Sequence, residues 1–460
     1  MVTNFPPLSS PITQTAAIFR KLHRIQAINR GRSSLKSDKK VTGNKELALA
    51  ALKRILDIKG KFMSKIKFGT FLAPHHPIGE NPMLQLQSDL ELAQHLDNLG
   101  FDEFWCGEHH STGWEVIASP ELFLAAAAER TQRIKLGTGV ISLPYHHPFM
   151  VAQRLVQLDY QSRGRVLFGS GPGALPSDAH TMGLDPMLLR SRQDEAIGVI
   201  KRLFSGERFS YESEWFTLKD AKLQLRPLQE NMEFVVASTF TPSGMTLSGK
   251  YETGVISIGG MASQGLTALA TQWGFAEESA AKHGTQVSRN NWRVLMSWHI
   301  AETRDQARAE AKEGLFRHVN EYTTGALNPV DGKIFKTPDD AVDAAAFSDD
   351  STAVIGTPTD LINKIQEMIE VTGGFGAVIG FAHDWANREN TKKSWDLVAR
   401  YVIPEINSML DDYKDSLDFV INNRDTWLRA KDARLSNVSE HESAAKVMET
   451  EGIGGEKSKN

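Results

Sequence analysis

The chain predicts an α/β fold, a TIM (β/α)8 barrel, on three observations. Strand-like runs alternate with helical patterns from Lys65 onward, the runs are apolar on both faces, and there are eight of them. Two-sided apolar strands separated by helices mean a parallel sheet. Eight strands close a barrel, and roughly 350 residues suit that fold once insertions are allowed.

The first strand is "IKFGTFLAP". The helix after it, "MLQLQSDLELAQHLDNLG", sets Met83, Leu86, Leu90, Ala93 and Leu96 at three- and four-residue spacing and stops at Gly100. "FDEFWCGEHH" is the second strand, followed by a helix with Ser119 as N-cap and Pro120 in its first turn. "IKLGTGVISLP" and "RVLFGSGPG" are strands three and four, each followed by a helix. "MEFVVAS" is strand five, "GVISIG" strand six, "WRVLMSWHIAE" strand seven and "GAVIGF" strand eight. Two insertions interrupt the alternation. A hairpin-like segment, "ERFSYESEWFTLKDAKLQLRP", precedes strand five. A second segment, roughly 303–350, separates strands seven and eight on the side where a lid belongs.

Composition narrows the function. A hydrophobic fraction of 41% and a charged fraction of 23% are those of a soluble globular protein. A net charge of −4 argues against a nucleic-acid binder. The single cysteine, Cys106, excludes an intramolecular disulfide and a multi-thiolate metal site. It is compatible with a reducing compartment, and a cytoplasmic protein is expected. No apolar run is long enough to span a membrane.

Three segments follow: a basic extension at 1–62, the barrel at 63–412 and a polar tail at 413–460. The extension is rich in Lys, Arg and Ser and carries one amphipathic pattern, "KELALAALKRILDI". It reads as a flexible arm, as sequence upstream of a start at Met63, or as a targeting leader.

Three His-His pairs follow the first three strands: His75–His76, His109–His110 and His146–His147. In a TIM barrel these strand ends share the face that carries the active site. Successive strand residues point to opposite sides, so at most one histidine of each pair faces the axis. Chelating spacings are absent, and a metal would need three loops to agree, so no metal is expected. His109 stands apart because it follows Glu108 with no proline beside it. It is either a proton-handling group or a solvated residue of the mouth.

Seven motifs in order, "KFGTFL", "GFDEFWCGEHH", "IKLGTGVISLPYHHP", "GRVLFGSGPG", "EFVVAS", "VIGTPTDLINKIQEMIE" and "GFGAVIGF", resemble those of bacterial-luciferase-like flavin monooxygenases from about Lys65 to Leu410. "APHHPIGENP", "SLPYHHPFMVA" and "GPGALPSDA" look most like the limonene 1,2-monooxygenase-like branch. The resemblance implies reduced FMN at the barrel mouth, O2 adding at flavin C4a, and oxygenation of a small hydrophobic substrate (a terpene, alkene or aldehyde). It implies a separate NAD(P)H-dependent flavin reductase, and a homodimer is expected. It assigns His109 as the catalytic residue. Gly139-Val140 matches a position where the family often has a cis peptide against the flavin. Ser238 and Thr239 match the phosphate-binding segment, while Ser170 and Gly171 lie in a glycine-rich run fit for close approach to a cofactor. Phe71, Trp105 and Tyr145 near strand ends would wall an apolar pocket that keeps water from the flavin hydroperoxide. One departure is Pro172, where luciferase α subunits carry a phosphate-neutralising arginine. It leaves an F420-dependent oxidoreductase open, and a non-catalytic flavin-binding protein is the third reading.

Overall fold

The computed structural model describes residues 65–439 apart from 74, 240, 259–262, 328–331 and 349–350, together with 443 and 446. The expectation for residues 1–62 lies outside the described residues. The eight expected strands form: β1 (Lys67–Leu72), β2 (Glu103–Cys106), β3 (Lys135–Thr138), β4 (Val166–Gly171), β5 (Phe234–Ser238), β6 (Gly254–Ser257), β7 (Trp292–Met296) and β8 (Ala377–Phe381). Each pairs in parallel with the next, and β8 returns to β1 with Phe68 opposite Val378, so the barrel is closed. Closure leaves no free sheet edge.

The helices around it are α1 (Pro82–Leu99), α2 (Pro120–Arg130), α3 (Pro148–Gln161), α4 (Leu189–Phe204), α5 (Ser243–Tyr251), α6 (Ser263–His283), α7 (Pro358–Thr372) and α8 (Arg388–Leu397). The two apolar faces of the strands serve two cores. Phe71, Trp105, Leu167, Val235, Leu295 and Ile379 fill the barrel interior. Phe68, Phe104, Leu136, Phe168, Val236 and Val378, which alternate with them, pack outward against the helices. Beneath the interior lies a charged floor. Arg293, fully buried, binds Glu103 at 2.7 and 2.9 Å and Glu233 at 2.7 and 2.9 Å. Burial works against this guanidinium, but the two carboxylates outweigh it and raise its pKa.

Four details differ from the expected pattern. In α1 the buried face carries Gln85, Asp89, Ala93, Leu96 and Asp97, whereas Met83 is exposed. The polar members earn burial through bonds: Asp89 reaches His76, and Asp97 accepts the backbone N–H groups of Gln132, Arg133 and Ile134. Ser119 stands at the N-cap of α2, yet its hydroxyl donates to Glu121 instead of capping the helix. Strand seven ends at Met296; Trp298–Ile300 leaves the barrel and pairs with Val354–Gly356 in a separate two-stranded sheet. The later insertion is not featureless. It holds the helices Arg304–Arg317 and Pro338–Ala346, with a π-helical stretch, His318–Leu327, between them. Ala307, Ala311, Leu315, Val342 and Ala345 give it a small core of its own.

The hairpin expected before strand five is present as Phe209–Glu212 against Thr217–Ala221. Beyond Leu410 two helices, Asp411–Asn422 and Arg424–Ser439, bury no residue in the first and little in the second. No helix among the described residues is long and apolar enough to cross a membrane.

Candidate active site

The three His-His pairs do sit at the C-terminal ends of β1, β2 and β3, and they meet there through shared carboxylates, His110 and His146 on Glu108 and His75 and His109 on Glu115. His76 is clamped between Asp89 (2.9 Å) and Asp384 (2.6 Å). His110 and His146 both bind Glu108, at 3.0 and 2.6 Å. His147 caps α3 by accepting from the Phe149 N–H. Burial opposes ionisation of Glu108, yet the two histidines and the Ser142 N–H outweigh it and hold the carboxyl below its usual range.

His109 is placed differently. Its Nδ1 lies 3.1 Å from Asp178 Oδ2 and its Nε2 lies 3.0 Å from Glu115 Oε2. The second contact is close enough for an ion pair but off line for a hydrogen bond. Asp178 also accepts from the His110 N–H at 3.1 Å and from the Ser111 hydroxyl. Glu115 accepts from His75 at 2.8 Å and from the Tyr322 hydroxyl at 2.6 Å. Both carboxyls are buried, which works against ionisation; the bonds from His109 and Ser111 to Asp178, and from His75 and Tyr322 to Glu115, outweigh it and lower both pKa values. A chain of contacts therefore runs His75–Glu115–His109–Asp178 across the mouth. The imidazole at its centre stays partly open, with 19% of its side chain exposed, so it can still meet a ligand.

Asp178, Glu115 and Tyr322 escaped the sequence reading. Asp178 rides on a one-turn-and-a-half helix, Pro176–Thr181, just after the glycine-rich run that closes β4. Tyr322 comes from the insertion, 207 residues away from its partner. A carboxylate in each loop beside a histidine was the available signal; nothing local marks Tyr322.

The expected cofactor residues line the same rim. The Gly139–Val140 peptide is cis. A Cβ on Gly139 would lie 2.8 Å from the Phe71 ring, and one on Gly171 would lie 2.5 Å from Val140 Cγ2, so only glycine fits either place without a shift. Ser170 pairs with Ile141, and Ser238 ends the strand next to β4. The hydroxyls of Tyr145, Ser170 and Ser238 are buried and have no hydrogen-bond partner among the described residues. Buried polar groups are normally satisfied, so these three hydroxyls, at or just after the ends of β3, β4 and β5, are open to a polar ligand. Burial, with the carboxylates of Asp178 and Glu108 adding, pushes the Tyr145 phenol up to about 12, so it donates rather than ionises. Thr239 is exposed. A groove of about 460 Å³ opens beside it at the start of α5, lined by Thr241, Ser243, Thr246 and Arg190.

The three aromatic residues part company. Phe71 packs edge-on to Phe381 at 5.3 Å just inside the mouth. Tyr145 is half-buried with its ring against His110. Trp105 is fully buried below them, its indole N–H donating to Glu103 and its ring 5.2 Å from the Arg293 guanidinium. It forms part of the barrel's floor and has no exposed face to offer as a pocket wall.

Similarity to known proteins bears on this site. Residues 66–374 match the family described as luciferase-like monooxygenase. The chain is 44% identical over 362 residues to the 4-hydroxyprotoasukamycin monooxygenase of Streptomyces nodosus subsp. asukaensis, covering 78% of this chain and 97% of that one. It is 44% identical over 346 residues to the limonene 1,2-monooxygenase of Rhodococcus erythropolis, covering 75% and 88%. In fold it is similar to the oxygenating constituent of 3,6-diketocamphane monooxygenase from Pseudomonas putida, solved in complex with FMN, at a TM-score of 0.61, with 23% identity over 74% of this chain and 99% of that one. With a family match over residues 66–374, more than half of the chain, and two monooxygenases at this identity, the chain belongs to the luciferase-like monooxygenase family.

Proposed function

We propose that this enzyme is an FMN-dependent monooxygenase that takes reduced flavin from a separate NAD(P)H-dependent reductase and transfers one oxygen atom of O2 to a small hydrophobic substrate, of terpene, alkene or aldehyde type. The observation that carries the reading is the set of unpartnered buried hydroxyls, Tyr145, Ser170 and Ser238, at or just after the ends of β3, β4 and β5, on the barrel face that also carries His109. Reduced FMN bound there supplies the activation of O2. The chain's own residues do the rest. Gly139, Val140 and Gly171 let the flavin ring approach the backbone. Ser238, Thr239 and the start of α5 take the phosphate, with Arg190 on the groove in the role left vacant at Pro172. His109, with a carboxylate on either side, holds or moves a proton next to the flavin. Phe71 and the insertion carrying Tyr322 exclude water.

The test is anaerobic addition of photoreduced FMN to the purified protein, followed by O2. The expected result is saturable binding and a long-lived absorbance distinct from reduced and oxidised flavin, with a monooxygenated product when a terpene such as limonene is supplied. Tighter binding of F420 than of reduced FMN would overturn the cofactor. Flavin binding with no slowed oxidation and no product would mark a non-catalytic binder.

A further inference from the structure

Three histidines meet on the far side of Glu115 from His109. His75 follows β1, His318 opens the π-helical stretch of the insertion, and His383 follows β8. One ring nitrogen from each lies within 4.8 Å of the others. His75 Nε2 is bonded to Glu115 Oε1 at 2.8 Å, and His383 Nε2 lies 2.9 Å from Ser297 Oγ. That leaves Nδ1 of both rings, buried and without a partner among the described residues. A ring with one nitrogen tied to an outer carboxylate or hydroxyl and the other free is how proteins hold a metal-ligating histidine.

Aromatic packing is the competing account. Trp385 stacks on His383 at 4.0 Å, and Tyr322 lies 4.4 Å from His75. Stacking occupies ring faces. It leaves the in-plane nitrogens unsatisfied, and burying such groups without a partner is costly. Three imidazoles from three separate elements suit a divalent first-row ion of the zinc class. Bonds of about 2.0–2.1 Å require each ring to move inward by less than about 1 Å.

We propose that His75, His318 and His383 bind one divalent transition-metal ion, of the Co2+, Ni2+ and Zn2+ class, with water completing its shell, and that the ion clasps the insertion to the barrel mouth. This replaces the expectation of no metal drawn from the His-His pairs, since only His75 belongs to a pair. It does not rest on the flavin reading, although His75 shares Glu115 with His109.

Untagged full-length protein, stripped with chelator, would be titrated with Co2+ and then Zn2+. One equivalent of Co2+ should bind with the visible absorption of a low-coordinate imidazole site, be displaced by one equivalent of Zn2+, and raise the melting temperature. His318→Gln and His383→Gln should each weaken Co2+ by at least about 100-fold, beyond the 10–100-fold usual for loss of an outer partner. Melts of the stripped variants, compared with stripped wild type, show whether each still folds. His180→Gln, at an exposed position, should bind as wild type does. Absence of saturable Co2+ binding to the wild type, or equal binding by both variants, overturns the site.

Discussion

His109 and His110 are neighbours with different company, and the difference decides which matters to turnover. His109 lies between Asp178 and Glu115, while His110 turns to Glu108 and the Tyr145 ring. An aligned proton-handling group contributes about 10²–10⁴-fold in rate. His109→Ala should lose activity on that scale while keeping its fold and most of its flavin affinity. In His110→Ala, Glu108 keeps His146 and the Ser142 N–H, so the rate should change little. Steady-state rates with excess reduced flavin, set beside thermal melts, check this; equal losses would reverse the assignment. Glu115 permits a pH test. Its folded pKa is depressed, so its stabilisation is present above the unfolded value and lost as pH falls through the folded one. Wild type should therefore lose melting temperature more steeply than Glu115→Gln on acidification below about pH 4.3, the unfolded value of a glutamate.

At the scale of elements, His76 joins three of them: the exit of β1, α1 through Asp89, and the loop after β8 through Asp384. Burial alone would lower its pKa, but the two carboxylates raise it to about 10. Burial pushes the Asp89 carboxyl upward, against the pull of His76, so the second carboxylate, Asp384, is what secures the proton. The sign is opposite to that of Glu115. The stabilisation is complete below the unfolded value of 6.5 and is lost as pH rises through about 10. His76→Gln should depress the melting temperature at pH 6 and much less above pH 10, and melts across that range would show it. Arg293 joins β7 to β2 and to the start of β5. Its replacement by Ala strands two carboxylates, one of them fully buried, and should cost about 3–5 kcal/mol, measurable by denaturant unfolding. A loss below about 1 kcal/mol, the scale of an exposed pair, would mean that water enters the floor.

For the whole molecule, the barrel is tied shut from within residues 65–410. The Asn407 side chain accepts the Ile66 N–H at 2.9 Å and donates to the Ile66 carbonyl at 3.0 Å, so the start of β1 is anchored to the end of the helical segment Val398–Ile406 that continues α8. Removal of residues 1–62 should therefore leave the melting temperature and flavin binding as they are. A truncated protein that melts much lower or loses solubility would contradict this. The insertion belongs to the mouth as much as to the surface, because Tyr322 bonds Glu115 and packs beside His75 and Trp114. Tyr322→Phe should keep the fold and shorten the lifetime of the oxygenated flavin, read by stopped-flow absorbance, if that stretch helps to exclude water.

The barrel was legible in the chain because its signals are local. Two-sided strands such as "KFGTFL", the stop at Gly100 and the prolines opening the helices are consequences of backbone geometry within a few residues. The exit of each strand followed, and with it the common rim of His109, Gly139, Ser170 and Ser238. Tertiary structure decided what those side chains meet. The buried face of α1 could not be read from apolar spacing, because Asp89 and Asp97 are buried by partners 13 and about 35 residues away. Trp105 looks like any aromatic residue at a strand end, and only barrel closure sends it to the floor over Arg293. His318 and His383 carry no mark of their own beside the conspicuous pairs. They acquire one when the insertion folds back over β1 and β8, because periodicity records which face of an element is buried but not which distant group lies opposite.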